Sequence, residues 1–566
     1  MFVKRLSLLC FVTLLAVWPV VSVADSLSGA YLAGRHASYF SDYREAARYY
    51  TQALARDRNN LGLMENAMSA HLSLVDFDRA VPVARLLQSR TDQSQIANMT
   101  MMAHAIQNEA YDQVVSDLTN GRSVGPLVDG LAMAWAQLGR GQMSDALSSF
   151  DDLSASEGLR AFGTYHKALA LASVGDLEGA LDIFDGGGAA GLQNTRRGTI
   201  ARVEVLSQLE RNEDAVTLID AAFGTELDPE MTQLRRRLAA GEPLPLTMIT
   251  SPRDGLAEMF YNVADVLQGE ADEAYILLYS RIAEMLRPDH IDTLLLSANV
   301  LEDLERYELA TESYNRVPRD HPAFHAAELG RAEALRKADK SDAALEVLGQ
   351  LAKSHGNLPV VHITTGHTLR QLKRYRESSE AYDRALALYP DTDRSQWFLY
   401  YSRGITFERL DEFDKAEADF RYALELNPGQ PQVLNYLGYS LVEKQIKLDE
   451  ALEMIQMAVK AEPESGYIVD SLGWVLYRLG RYEEAVGHME RAAELMPVDP
   501  IVNDHLGDVY WSVGRTVEAQ FQWHRALSFD PEEKDADRIR RKLDVGLDQV
   551  LEEEGAKPLA VAQDDG

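Results

Sequence analysis

Cysteine is almost missing from this sequence: Cys10 is the only one in 566 residues. Intrachain disulfides are thereby excluded, and so is thiolate chemistry anywhere beyond residue 10. Positive charge is also scarce, with 56 Lys and Arg against 88 Asp and Glu and a formal net charge of −32. Nucleic acids and anionic lipid surfaces are gripped by basic patches, so neither is an expected partner. Long apolar runs are missing after the first twenty residues. No later segment approaches the 18 or so uncharged apolar residues that a membrane-spanning helix needs. The short motifs that carry chemistry are missing too. There is no HExxH, no GxSxG and no phosphate-binding Gly-x4-Gly-Lys-Ser/Thr. Gly186-Gly187-Gly188 has no Lys-Ser/Thr behind it and reads as a loop. His362 and His367 are five residues apart, which puts them on different faces of a helix, and no other ligand stands near. The expectation is a non-enzyme with no catalytic residues, no metal and no cofactor.

The first 24 residues read as an export signal. Lys4 and Arg5 precede an apolar run from Leu8 to Trp18, broken only by Thr13. Pro19 follows, and Ser22-Val23-Ala24 offers small residues before Asp25. Leu9 stands where a lipoprotein cleavage site would want a small residue before Cys10, which argues against lipid attachment. Cleavage after Ala24 would leave a chain without cysteine and more acidic still. This pattern fits a bacterial periplasm, with the protein free there or peripheral to the outer membrane.

What is abundant is a repeat. From Trp397 the chain reads WFLYYSRGITFERLDEFDKAEADFRYALELNP, with Gly404, Ala416, Phe420, Ala423 and Pro428 at positions 8, 20, 24, 27 and 32. Gly473, Ala485, Met489, Ala492 and Pro497 repeat the spacing, as do Gly507, Ala519, Trp523, Ala526 and Pro531. Small residues at 8 and 20 let two antiparallel helices approach closely. The large residue at 24 fills the space beside them, 27 admits the next unit, and proline stops the second helix. The register runs back through Ala385, Ala344, Ala310, Ala283, Ala215, Ala180, Ala146 and Ala46, giving about 14 units of helix-turn-helix. These residues resemble the tetratricopeptide repeat over almost the whole chain. The resemblance implies an all-α solenoid wound as a right-handed superhelix.

The spacing breaks once. Gly241-Glu242-Pro243-Leu244-Pro245 and Ser251-Pro252 cannot continue a helix. The expected organisation is therefore a signal peptide over 1–24, a first array over 25–222, a closing helix and hinge over 223–256, a second array over 257–531, and a cap with a polar tail over 532–566. Within the closing helix, Arg235, Arg236 and Arg237 read as a solvated face. In the cap, Ile539, Leu543, Leu547 and Leu551 recur every four residues and predict one amphipathic helix covering the solenoid's exposed end.

With positions 8 and 11 in the core, helical spacing turns positions 2, 5, 9 and 12 of each first helix toward the concave side. In the last four units these positions collect rings and carboxylates: Phe398 and Tyr401; Asn435 and Tyr439; Tyr467, Asp470, Trp474 and Tyr477; Asp504, Asp508 and Trp511. Tyr and Trp combine apolar area with a polar tip and are favoured at protein interfaces. These eleven residues are the candidate site for a protein or peptide, and the carboxylates point to a basic or neutral partner. Rings of this kind can also mediate self-association.

The segments NYLGYSL (435–441), DSLGWVLYRLGRYEEA (470–485) and NDHLGDVYWSVGRTVEA (503–519) are similar to those of large exported proteobacterial repeat proteins. Some of those are adaptors of carboxyl-terminal processing proteases. The resemblance implies a periplasmic scaffold or adaptor that presents clients to an envelope protease. The alternative is a structural subunit of an envelope secretion or polysaccharide-export assembly.

Overall fold

A computed structural model describes residues 26–186, 191–224, 227–389 and 393–555. The expected signal segment, part of the glycine run and the polar tail from residue 556 lie outside the described residues. Among the described residues there are 31 α-helices and two short 3₁₀ turns, and no strand. Six helix hairpins run from Leu27–Tyr39 with Tyr43–Arg56 to Arg196–Gln208 with Asn212–Phe223. A lone helix, Pro229–Ala239, follows. Eight more hairpins run from Pro252–Val266 with Glu273–Leu286 to Pro500–Ser512 with Thr516–Ser528, and a short pair, Glu533–Val545 and Leu547–Glu553, ends the described chain. The all-α hairpin solenoid read from the spacing is the fold observed.

The hairpin turn is made the same way along the chain. The first helix ends in a residue of positive φ, and the next N–H reaches back five residues to a carbonyl. Examples are Asp76 to His71, Glu412 to Phe407 and Arg481 to Leu476, each at 2.9 Å. This bond satisfies a carbonyl that the helix end leaves open. The positive-φ residue is glycine at Gly480 and Gly514, but Val75 (φ 62°) and Asp411 (φ 58°) serve elsewhere.

Inside each hairpin the close approach differs in one detail from the spacing argument. The residue that meets the small position 8 most closely is the large one at 24. A Cβ added to Gly404 would fall 2.6 Å from the Phe420 ring, and one on Gly507 would fall 2.4 Å from Trp523 Nε1. Phe420 and Trp523 are fully buried by this contact, each contributing on the order of 3 kcal/mol of apolar burial.

The chain divides into two compact units, Met1–Val347 and Leu348–Gly566, with the division inside helix Ser341–His355. Within the first unit, the stretch between helices Pro229–Ala239 and Pro252–Val266 packs on the preceding hairpin. Leu244, Met248 and Ile249 are buried, the Leu244 N–H donates to Ser207 Oγ at 2.8 Å, and the Thr247 N–H donates to buried Glu204 at 2.9 Å. The segment redirects the chain so that the next hairpin returns across the inner face of the first six. Helix Pro252–Val266 packs on Pro126–Gly139 and Arg160–Ser173, and helix Glu273–Leu286 packs on Leu61–Ser73 and Gln95–Gln107. Trp135 and Tyr165, at inner positions, are fully buried there. Gly255 lies so close to Trp135 that a Cβ would sit 2.4 Å from its ring. The Tyr165 hydroxyl donates to Glu258 at 3.1 Å, and Arg281 donates to the Ser73 carbonyl at 3.2 Å. The expected basic face of the lone helix is tied to its neighbours by surface ion pairs, Arg235 holding Asp220 at 2.6 and 2.9 Å.

Candidate protein-binding groove

In the second unit the first helices of four successive hairpins are Trp397–Arg409, Pro431–Glu443, Gly466–Arg478 and Pro500–Ser512. Two of the four begin on a start signal that the sequence carries. Before Pro500, for example, the Asp499 carboxylate caps the helix by accepting from the N–H groups of Ile501 and Val502 at 2.9 and 3.0 Å. Pro431 and Pro500 open their helices, where a missing N–H costs nothing.

These helices bring a cavity of about 860 Å³ together, lined by Tyr439, Trp474, Tyr477, Asp504 and His505 among the repeat residues and by Arg538 and Ile539 of the cap. Of the eleven predicted residues, only Tyr467 is strongly exposed, at 46%. Phe398, Tyr401, Tyr439, Asp504 and Trp511 are half-buried, and Asn435, Asp470, Trp474, Tyr477 and Asp508 are buried. The rings pack along the groove. Tyr401 meets Tyr436 edge-on at 5.9 Å, and burial pushes its hydroxyl up to about 12. Trp474 is sandwiched between Tyr477 at 4.7 Å and His505 at 3.9 Å, both nearly parallel, while its Nε1–H donates to Glu443 at 2.8 Å. Asn435 is the exception among the buried residues, because its Oδ1 has no hydrogen-bond partner among the described residues.

The carboxylates offered to a basic ligand by the sequence are engaged inside the chain. Asp470 accepts from His505 Nδ1 at 3.1 Å. Lys542 of the cap, itself fully buried, places its Nζ 2.8 Å from both Asp504 oxygens and 2.6 Å from Asp508. Asp508 also accepts from Trp523 Nε1 at 2.9 Å and faces Arg538 at 3.4 Å. Trp511 lies over Gly546 and donates to Asp548 at 2.9 Å. The cap therefore supplies from within the chain the cations expected of a partner.

Sequence reasoning missed His505, Arg478 and Lys542. A signal for Lys542 existed: it follows Ile539 by three residues and Arg538 by four, so it shares the buried stripe. His505, at position 6, sits beside the inner stripe and carried none. The cap is also two helices, not one. Gly546 at φ 87° breaks it, and a Cβ there would fall 2.8 Å from Trp511.

The geometry defines a class: a solenoid of helix hairpins. Models of the tetratricopeptide repeat match residues 31–94 and 401–466, 362–392 and 469–497. Over those residues the chain carries tetratricopeptide repeats. It is similar to the TPR repeat-containing protein PA4667 of Pseudomonas aeruginosa, 27% identical over 29% of this chain and 27% of that protein. It is also similar to the BBSome complex member BBS4 of Bos taurus, 30% identical over 21% of each. The matched region thus spans about a quarter of these curated relatives. Among solved structures, the Cut9-Hcn1 hetero-tetramer of the APC/C is 15% identical, covering 93% of this chain and 97% of that one with a TM-score of 0.38. A tetratricopeptide repeat protein from Parabacteroides merdae is 15% identical, covering 45% and 98%, also with a TM-score of 0.38.

Proposed function

We propose that this protein is a scaffold of the cell envelope that grips a partner protein or peptide in the groove of its second unit and acts as an adaptor, presenting clients to an envelope protease. The observation that carries the reading is the contrast between the two inner faces. In the first unit the chain's own hairpin 252–286 occupies the inner face. In the second, the cavity beside Tyr439, Trp474 and His505 is open, and Tyr467 stands exposed. Concave, preformed sites of this size are where ligands bind, and this one sets the rings of Tyr439, Trp474 and Tyr477 among charged side chains such as Glu443, Arg478, Asp504 and Arg538. The adaptor role comes from the resemblance of segments 435–441, 470–485 and 503–519 to exported repeat proteins of that kind.

The test is affinity capture from the periplasm with the full chain and with a Tyr439→Ala, Tyr467→Ala variant. Tyr439 lines the cavity and Tyr467 is exposed, and the Trp474 stack is made by Tyr477 and His505, so the two substitutions leave that stack in place. The reading expects a protease or its substrates with the unaltered chain and a loss of at least tenfold, about 1.4 kcal/mol, with the variant. A fixed set of envelope components captured equally by both would favour a structural subunit and end the groove reading.

A further inference from the structure

The imidazole of His505 is held more firmly than packing alone requires. Its Nδ1 lies 3.1 and 3.2 Å from the two oxygens of Asp470. A carboxylate can only accept there, so Nδ1 carries its proton whether the ring is neutral or charged. Nε2 is then the nitrogen that titrates. It offers a lone pair when the ring is neutral and an N–H when it is charged. Nε2 has no hydrogen-bond partner among the described residues, and His505, 8% exposed, lines the cavity. The ring cannot turn away. It is stacked on Trp474 at 3.9 Å with 13° between planes, and Trp474 is fixed in turn by Tyr477 and Glu443.

The groups around it explain why it holds a proton more readily than an ordinary imidazole. Asp470 faces it from helix Gly466–Arg478, and Asp504 and Asp508 from its own helix. Lys542 neutralises part of that pair from the cap, where Arg538 and Asp535 also line the cavity, with Arg478 and Glu443 opposite. Burial pushes His505 down, but Asp470 and then Asp504 and Asp508 outweigh it and hold the imidazole above its ordinary value.

We infer that His505 is a specificity-determining contact of the groove, its Nε2–H donating to a main-chain carbonyl oxygen of a bound, uncharged apolar peptide segment. This rests on reading the groove as the partner-binding surface. The chemistry of the cavity favours an acceptor over a cation. Glu443 is taken by Trp474, Asp470 by His505, Asp504 and Asp508 by Lys542, and Glu554 by Arg538. Asp535 is the one lining carboxylate without a hydrogen-bond or ion-pair partner among the described residues. The Tyr439 and Tyr477 hydroxyls and the Arg478 guanidinium, in contrast, have no hydrogen-bond acceptor there. Leu448, Leu479, Ile501 and Ile539 supply apolar wall. A lysine-bearing segment would instead meet Arg478, Arg538 and the imidazolium, and would drive the His505 proton off. Binding and protonation of His505 therefore reinforce each other for a carbonyl ligand and oppose each other for a cation.

The experiment uses the full chain labelled with 5-fluorotryptophan, the Trp474 resonance being assigned with Trp474→Phe. The probes are a blocked Ala/Leu/Val octapeptide and the same peptide with two Lys or two Glu. The expected result is that the neutral peptide shifts the Trp474 resonance and binds about tenfold more tightly at pH 6 than at pH 8.5, the weight of one charge-assisted hydrogen bond. His505→Gln removes that difference. Because this variant also loses the ring stack, a second measurement is made on the unaltered chain: the neutral peptide raises the His505 titration midpoint seen by histidine NMR. If the neutral peptide binds independently of pH, or the Lys peptide binds best and tightens as pH rises, the inference is overturned while the groove reading survives. If none of the peptides perturbs Trp474 at any pH, both fall together.

Discussion

Val75 is the residue whose conformation fits its side chain least. It takes φ 62° at the hairpin turn, where glycine stands in Gly480 and Gly514. For a β-branched residue the left-handed region costs on the order of 1–2 kcal/mol. Val75→Gly should therefore raise the stability of the first unit by about 1 kcal/mol, read as a rightward shift of the urea midpoint; no shift would mean that the turn carries no strain. The opposite sign is expected at Gly507. Its Cβ would enter the Trp523 indole at 2.4 Å, so Gly507→Ala should cost about 1–3 kcal/mol by overpacking. Gly507 was legible in the sequence because only a small residue permits the spacing of the pattern. Val75 was not, since valine at a turn is a local misfit that the tertiary fold overrides.

At the scale of elements, the cap is where charge and packing meet. Lys542 is fully buried between Asp504 and Asp508, and Ile539 and Leu547 are buried beside it. Removing one partner of such a pair leaves uncompensated buried charge. Lys542→Met should thus cost about 3–5 kcal/mol. Adding Asp504→Asn and Asp508→Asn should restore most of it, because an amide still accepts from Trp523 and brings no charge. Equal melting temperatures for the single and triple variants would contradict this account. The apolar stripe of the cap was readable at a four-residue period. Its break at Gly546 and the buried lysine were not, because both depend on where Trp511 and the two aspartates lie in space. The same holds for the groove. The inner positions were found by helical spacing alone, but their availability was decided by elements far along the chain. Asp504, Asp508 and Trp511 are covered, and Tyr467 is open.

For the whole molecule, the filling of the first inner face sets the response to acid. Glu258 is fully buried under that face, where it meets Arg197, His290 and the Tyr165 hydroxyl. Burial pushes its carboxyl up, but Arg197 and His290 outweigh this and hold it well below the usual range. Burial, then Arg197, lowers His290, and burial takes His166 down to about 4. For all three the unfolded chain binds the proton more readily. The contribution of the two histidines is complete above the ordinary histidine value near 6.5 and is lost as pH falls toward 4, whereas that of Glu258 is complete above the ordinary glutamate value near 4.5 and is lost only below it. The first unit should lose a few kcal/mol over that window. His505 has the opposite sign: its contribution is complete below 6.5 and fades as pH rises through its elevated value. Hydrogen exchange at pH 4.5, 6.5 and 8.5, read separately for residues 26–347 and 348–555, checks both slopes. None of this was visible in the repeat pattern. Residues 257–290 satisfy the spacing of one more unit whether they extend an array or return across it, and the choice rests on buried groups such as Glu258 and Arg281 that no local period announces.

The central claim is that the partner lies in the groove of the second unit. Photocrosslinking tests it most directly, with a benzophenone residue placed in living cells at exposed Tyr467 on helix Gly466–Arg478, at Tyr275 in the hairpin that fills the first unit, and at exposed Tyr39 on the first hairpin. The account predicts a discrete crosslinked product at Tyr467 and none at Tyr275 or Tyr39. Products at Tyr39 or Tyr275, with nothing at Tyr467, would contradict it.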